Sequence, residues 1–163
     1  MPTEMGEYLV GAYLKLVKVC DFVDYNVRPS GGKMAGLDEF DVIGIHIASK
    51  TAYMCEVMTH LRGLLYGGGN QGTLNRVKEK YRKQQEYARS HLSTFRCEFM
   101  FWSPNVPKGI LTDGFAEIDG LQFVINAEYK RVVQDLRVKA RNEQQDTGNP
   151  VFRVLQILGA LRD

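Results

Sequence analysis

Apolar residues recur along the chain with two different periods, and these periods distinguish the predicted helices from the predicted strands. Spacings of three and four residues, typical of one face of an amphipathic helix, occur in residues 4–18, 74–92, 128–144 and 151–161. Runs rich in β-branched and aromatic residues predict strands at residues 20–27, 40–48, 51–59, 95–102 and 121–125. The pattern assigns no element between the last two strands.

The order of these elements indicates the fold class. A helix precedes three strands, then come a helix, two strands and two helices, which predicts an α/β fold with a mixed central sheet flanked by helices. Residues 40–48 and 51–59 are apolar on both faces, so we expect them to be paired central strands. Residues 67–72 are glycine-rich and predict a flexible loop that could move over a bound substrate, with Thr73 as the N-cap of the next helix.

Length and composition indicate one globular domain, residues 1–163. Hydrophobic residues make up 44% of the chain and charged residues 25%, which are ordinary proportions for a folded protein. No apolar run reaches the about 20 residues that cross a bilayer, and no basic stretch leads into an apolar one as in a secretory signal. We therefore expect a cytoplasmic protein with no membrane partner, in which the distant Cys20, Cys55 and Cys97 are buried thiols.

Positive charge is concentrated in one predicted helix, although the formal net charge is only +2. Residues 76–89 contain six basic residues and two acidic ones, a balance that would attract the phosphate backbone of DNA. The alternative is a solvated helix face whose charges serve solubility. The candidate contacts to nucleic acid, in the loop after the first strand and in this helix, are Arg28, Lys33, Lys78, Arg82 and Lys83.

Two acidic residues lie in the predicted central strands. Asp41 begins one strand and Glu56 lies within the next. A carboxylate inside a strand is costly to bury unless a positive charge compensates it. Oxygen ligands of this kind suit Mg²⁺ or Mn²⁺, whose bound waters can attack a phosphodiester. The alternative is that Asp41 starts its strand near solvent and Glu56 forms a structural ion pair.

The arrangement of acidic residues between residues 6 and 61 resembles the PD-(D/E)xK, or restriction-endonuclease-like, nucleases, especially the archaeal Holliday-junction resolvases. In that family an early helix carries a glutamate, a glycine-containing loop leads to an acidic residue at the head of strand two, and Glu-x-Lys ends strand three. Glu7, the loop at residues 31–36, Asp41 and Glu56 match this pattern in order and in approximate spacing.

This resemblance implies an αβββαβ core, here with extra C-terminal helices, and the activity of a metal-dependent DNA endonuclease. It implies that Asp41 and Glu56 bind Mg²⁺ or Mn²⁺, and that Glu7 is a further acidic group at the site. The alternative for Glu7 is a solvated position in the first turn of a helix, where the helix dipole favours a negative charge.

The family lysine is missing, because the position two residues after Glu56 is Met58. That lysine positions the attacking water and stabilises charge on the phosphate, which a thioether cannot do. Lys80 and Gln84, one turn apart on the basic helix, are candidates to reach the site instead. His60 is a third candidate, because it would share the strand face of Glu56. The alternatives are a solvated helix face for the first two and a histidine bonded to neighbouring backbone for the third.

Two other functions are compatible with the sequence. Met58 is compatible with a catalytically inactive nuclease-fold protein that acts as a DNA-binding or assembly subunit. An α/β domain without any role in nucleic-acid metabolism would require the agreement in acidic residues to be accidental. Nucleases that cut both strands often act as dimers, and the last helix allows either a homodimer or intramolecular packing through its apolar residues: Phe152, Leu155, Ile157, Leu158 and Leu161.

Overall fold

A computed structural model describes residues 2–29, 39–64 and 66–161, and within these ranges five helices surround one five-stranded sheet. In chain order the elements are α1 (Met5–Leu16), β1 (Phe22–Val27), β2 (Phe40–His46), β3 (Thr51–Val57), α2 (Gly69–His91), β4 (Arg96–Ser103), α3 (Ile110–Ala116), β5 (Leu121–Ile125), α4 (Asn126–Asn142) and α5 (Pro150–Ala160). None of the helices in the described ranges is both long enough and apolar enough to span a membrane.

The sheet is mixed, and its strands lie side by side in chain order. β1 and β2 pair antiparallel, as do β2 and β3, whereas β3, β4 and β5 run parallel. β3 is therefore the middle strand, and all seven of its residues are buried. This confirms the prediction of paired central strands at residues 40–48 and 51–59, although β3 ends at Val57, two residues before the predicted end.

Helices cover both faces of the sheet because alternate strand residues point in opposite directions. On β4, Met100 and Trp102 belong to the core shared with α1, α4 and α5. Phe101, between them, belongs to the core shared with α2 and α3. Trp102 is fully buried between two tyrosines, with ring centroids 5.0 Å from Tyr13 and 6.1 Å from Tyr129. The predicted α/β fold with a mixed central sheet flanked by helices is thus confirmed.

The N-terminal end of α2 differs from the prediction. The helix begins at Gly69, so most of the glycine-rich segment is the first helical turn and the prediction of a flexible loop is wrong there. The N-cap is Gly68, with a φ of 94°, a backbone conformation that glycine adopts without strain. Thr73 is not the cap: its buried hydroxyl donates to the Gly69 carbonyl at 2.9 Å and accepts from the Tyr66 N–H at 2.9 Å.

Helix α3 and the thiol of Cys97 also differ from the prediction. The sequence pattern assigned nothing to residues 110–116, which form α3 and bury Leu111 and Phe115. Cys20 and Cys55 are buried thiols as predicted, whereas Cys97 is only half-buried.

Helix α1 lies close to β1 because a glycine faces the strand. A Cβ on Gly11 would lie 1.9 Å from the hydroxyl oxygen of Tyr25. Tyr25 also accepts a hydrogen bond from the Asn149 amide at 3.4 Å, and Asn149 caps α5 and donates to the Tyr8 carbonyl. Tyr25 and Asn149 therefore connect α1, β1 and α5.

We expect Gly11→Ala to lower the free energy of unfolding by about 1–2 kcal/mol. Overpacking against Tyr25 should cost about 1–3 kcal/mol, and alanine's higher helix propensity should return up to about 1 kcal/mol. Urea denaturation checks the loss. Gly67→Ala is the control, because its Cβ would meet no atom within 4 Å. Equal stability of the two variants would contradict the close packing of α1 on β1.

Candidate active site

A cleft of about 450 Å³ opens where α1 and β2 begin and β3 ends, beside α2. It is lined by the carboxyl groups of Glu4, Glu7, Glu39, Asp41 and Glu56, and by the basic side chains of Arg76 and Lys80. The start of α1 reaches the cleft because Gly6 has no side chain: a Cβ there would lie 1.9 Å from the hydroxyl oxygen of Thr59, just beyond β3. Residues distant in sequence thus form one strongly acidic surface.

Asp41 and Glu56 lie beside each other on neighbouring antiparallel strands. Val42 pairs with Cys55, so the next step of the same register places Asp41 opposite Glu56. Asp41 Oδ2 accepts a hydrogen bond from the Val57 N–H at 2.7 Å, which fixes its carboxylate across the two strands. Because side chains alternate, both carboxylates face the same side of the sheet as α2.

Lys80 extends from α2 to Glu56 and forms an ion pair with its Oε1 atom. Both side chains are largely buried, with 12% of Lys80 and 5% of Glu56 exposed to solvent. Lys80 therefore lies beside Glu56 in the cleft, where the sequence interpretation expected it. Met58 lines the cleft and is packed against the apolar core beneath α2 and α3. The positive charge beside Glu56 thus comes from the helix instead of the strand.

Three carboxyl groups of the cleft, those of Glu7, Asp41 and Glu56, have pKa values above their ordinary values. Burial and the neighbouring Asp41 raise the pKa of Glu56 to about 8, against the opposing effect of Lys80. Burial raises the pKa of Asp41, and Lys80 and the Val57 N–H oppose this rise. Burial also raises the pKa of Glu7. Lys80 alone therefore does not offset the cost of burying these negative charges, and an additional cation would be attracted here.

The donor set fits a divalent metal that retains water. In the part of the chain that the structure describes, no three His, Cys, Asp or Glu side chains form a metal-binding group. Mg²⁺ does not require such a group, because it is commonly held by one or two carboxylates together with waters and substrate phosphates. The adjacent oxygens of Asp41 and Glu56 meet this smaller requirement.

Glu7 is buried, with 7% of its surface exposed, so the alternative of a solvated residue is wrong. Its Oε2 atom accepts from the Glu4 N–H at 2.9 Å and from the Asn26 amide at 3.2 Å. The first of these bonds is part of a capping box at the start of α1. Glu7 therefore stabilises the helix end that contributes to the cleft, while its carboxylate remains part of the cleft lining.

His60 and Gln84 are placed differently from the prediction. His60 lines the cleft but lies three residues beyond the end of β3, where it is exposed, so it does not share a strand face with Glu56. Gln84 points into the protein, with 1% exposed, and is not among the cleft residues. Neither polar atom of its amide has a hydrogen-bond partner among the described residues.

The predicted nucleic-acid contacts that the structure describes are not among the residues lining the cleft. Arg28 is half-exposed and pairs with the buried Glu39 at 3.2 Å. On α2, Lys78 is exposed and Lys83 is half-buried, whereas Arg82 forms ion pairs with two glutamates of its own helix, Glu79 and Glu86. Lys33, like the glycine-containing loop at residues 31–36, lies outside the described residues.

The sequence interpretation missed Arg76 and Glu39 as cleft residues. Arg76 precedes Lys80 by four residues, so helical spacing alone places both on the same side of α2. That spacing could have identified Arg76 once Lys80 was chosen. Glu39 is one residue before β2, where the strand pattern gives no indication of its burial.

We expect Glu56→Gln to change the pH dependence of stability in metal-free buffer. The folded pKa of about 8 exceeds the ordinary value of 4.5, so unfolding releases the Glu56 proton between these pH values. The contribution of Glu56 to the free energy of unfolding is fully present below about pH 4.5 and is lost as the pH rises towards about 8. The variant should therefore gain stability relative to the wild type as pH rises, by up to about 1.4 kcal/mol per pH unit.

Urea denaturation at several pH values between 5 and 8 checks this expectation. Glu128→Gln is the control, because the Arg131 side chain lowers the pKa of that exposed carboxyl instead of raising it. Its stability curve should parallel that of the wild type over this range. Parallel curves for Glu56→Gln as well would show that Glu56 is already ionised in the folded protein near pH 5.

Comparison of the chain with family models, with characterised proteins and with solved structures gave no match. The function proposed below is therefore inferred from the side chains of the cleft and from the resemblance in the order of its acidic residues.

Proposed function

We propose that this protein is a metal-dependent DNA endonuclease with a restriction-endonuclease-like fold. The observation that carries the proposal is the contact of Lys80 with Glu56 beside Asp41, because it combines two acidic groups and a lysine in one cleft. The order from α1 to β4 also supports it, since one helix, three strands, one helix and one strand give αβββαβ. In this proposal α3, β5, α4 and α5 are additions to that core.

Each cleft residue has a role that follows from its chemistry. Asp41 and Glu56 would hold Mg²⁺ or Mn²⁺, which when bound supplies Lewis-acid polarisation of a phosphate and a more acidic bound water. The Lys80 ammonium group offers N–H donors to the attacking water and to the charge that develops on the phosphate oxygens. Glu7 keeps the start of α1 in position at the cleft.

The partners in this proposal are DNA and a second copy of the chain. The basic residues predicted to contact the DNA backbone are Arg28, Lys33, Lys78, Arg82 and Lys83. In α5, Phe152 is buried and Leu155 packs against the core, which confirms intramolecular packing for these two residues. Ile157, Leu158 and Leu161 are exposed and form the surface that a homodimer would cover.

A catalytically inactive DNA-binding or assembly subunit is the second candidate. The observation that favours it is the same ion pair, since Lys80 already neutralises part of the charge on the buried Glu56. A protein that had lost its metal would need such a pair to keep Glu56 buried. The two candidates differ in one measurable property, which is cleavage.

We expect wild-type protein to cleave DNA in Mg²⁺ or Mn²⁺ and to be inactive in EDTA. Linear, branched and single-stranded substrates should be compared, because the cleft does not identify the DNA form. Asp41→Asn and Glu56→Gln should each lower the rate by at least about 100-fold, since each removes a metal ligand. Glu128→Gln removes a negative charge from α4, away from the cleft, and should leave the rate unchanged. Absence of cleavage with retained DNA binding would favour the inactive subunit.

We also expect a lysine to support cleavage from either position 80 or position 58. Lys80→Met should lower the cleavage rate by about 100-fold, because no other amine contacts Glu56 in the described structure. Adding Met58→Lys should recover about tenfold of that loss, since residue 58 lines the same cleft. Single-turnover rates check both variants. A wild-type rate for Lys80→Met would show that Lys80 has only a structural role.

A further inference from the structure

Arg76 is the second basic residue of the cleft, and its surroundings differ from those of Lys80. It is exposed at the edge of the cleft, one helical turn before Lys80. Lys80 is paired with Glu56, whereas no ion pair involves Arg76 within residues 2–29, 39–64 and 66–161. Its charge favours the ionised form of Glu56 from a distance, but no carboxylate of the described residues pairs with it directly, so it can still bind an anionic ligand.

The guanidinium of Arg76 lies over the ring of Tyr66, 5.0 Å from the ring centroid. A cation–π contact of this kind restricts the movement of a guanidinium, and the N–H groups that do not point at Tyr66 can donate to a phosphate oxygen. An arginine held in this way loses less conformational entropy when it binds a phosphate oxygen than a freely moving side chain does. This arrangement favours anion binding more than an unrestrained surface arginine would.

Tyr66 itself is fixed to the start of α2. Its N–H donates to the buried hydroxyl of Thr73, which in turn donates to the Gly69 carbonyl. The intervening turn is compact, since a Cβ on Gly72 would lie 2.8 Å from the Gly67 carbonyl oxygen. Tyr66 and Arg76 are thus positioned by the same helix that positions Lys80.

We infer that Arg76, oriented by Tyr66, binds a backbone phosphate of the nucleic acid that enters the cleft. This inference rests on the proposed function, because it assumes a nucleic-acid substrate, but it concerns binding and not cleavage. The acidic lining of the cleft would repel a phosphodiester. The positive charge of Arg76, at the exposed edge of the cleft, opposes that repulsion. Arg76 is accordingly a substrate-binding residue.

The salt dependence of DNA binding tests the inference without requiring a known sequence preference. Loss of one phosphate contact lowers the slope of log Kd against log salt concentration by about 0.9 for duplex DNA. Arg76→Ala should show this change and should bind about 10- to 100-fold more weakly at low salt. Arg76→Lys should retain the slope and bind more weakly than the wild type, because it keeps the charge but lacks the planar guanidinium with its several N–H donors.

The matched control is Arg131→Ala, which removes the same charge from an exposed arginine of α4 that pairs with Glu128 and Asp135. It should retain the wild-type slope. Fluorescence anisotropy with a short labelled duplex and with a single strand, both in EDTA to prevent cleavage, provides the slopes. Equal slopes for Arg76→Ala and Arg131→Ala would overturn the inference.

Cleavage by the wild type in Mg²⁺ is scored separately, so the two proposals can fail independently. A changed slope for Arg76→Ala without any cleavage supports the phosphate contact and overturns the nuclease. Cleavage with an unchanged slope supports the nuclease and overturns the contact. A wild type that binds neither the duplex nor the single strand in EDTA, and cleaves neither in Mg²⁺, overturns both.

Discussion

The burial of Glu56 in the middle strand is the constraint on which the arrangement of the cleft depends. β3 is paired on both sides and covered by helices on both faces, so a carboxylate on it is removed from water. An uncompensated buried charge costs several kcal/mol, and Asp41 on β2 adds repulsion to that cost. Lys80 offsets part of it, and this links the position of α2 to the ionisation of the sheet's acidic residues.

The strands were predictable because their sequence pattern agrees with their final environment. Residues 121–125 form a strand with the predicted bounds, and the apolar runs at 40–48 and 51–59 correspond to β2 and β3. Helix α3 was not predictable, because its seven residues contain only two buried positions and cannot establish a helical period. The start of α2 was obscured by glycines, whose low helix propensity is outweighed by hydrogen bonds to Thr73 and by packing of the turn.

The candidate site was predictable where it depends on strand register and less so where it depends on side-chain orientation. Asp41 and Glu56 follow from two consecutive strands joined by a tight turn. Lys80 follows from the resemblance and from helical spacing. Gln84 was misplaced because one turn along a helix can pass from the edge of a cleft into the core, and His60 was misplaced because β3 ends earlier than its apolar pattern indicates.

The methionine at position 58 contributes to the packing of α2. Met58 is half-buried against the apolar core beneath α2 and α3, where it adds contacts that help to hold the helix on the sheet. The same helix then carries the positive charge that a lysine at position 58 would have supplied. Because Tyr66 and Thr73 anchor the start of α2, the positions of Lys80 and Arg76 relative to the carboxylates depend on that anchor. Packing and charge at the cleft are therefore coupled through one helix.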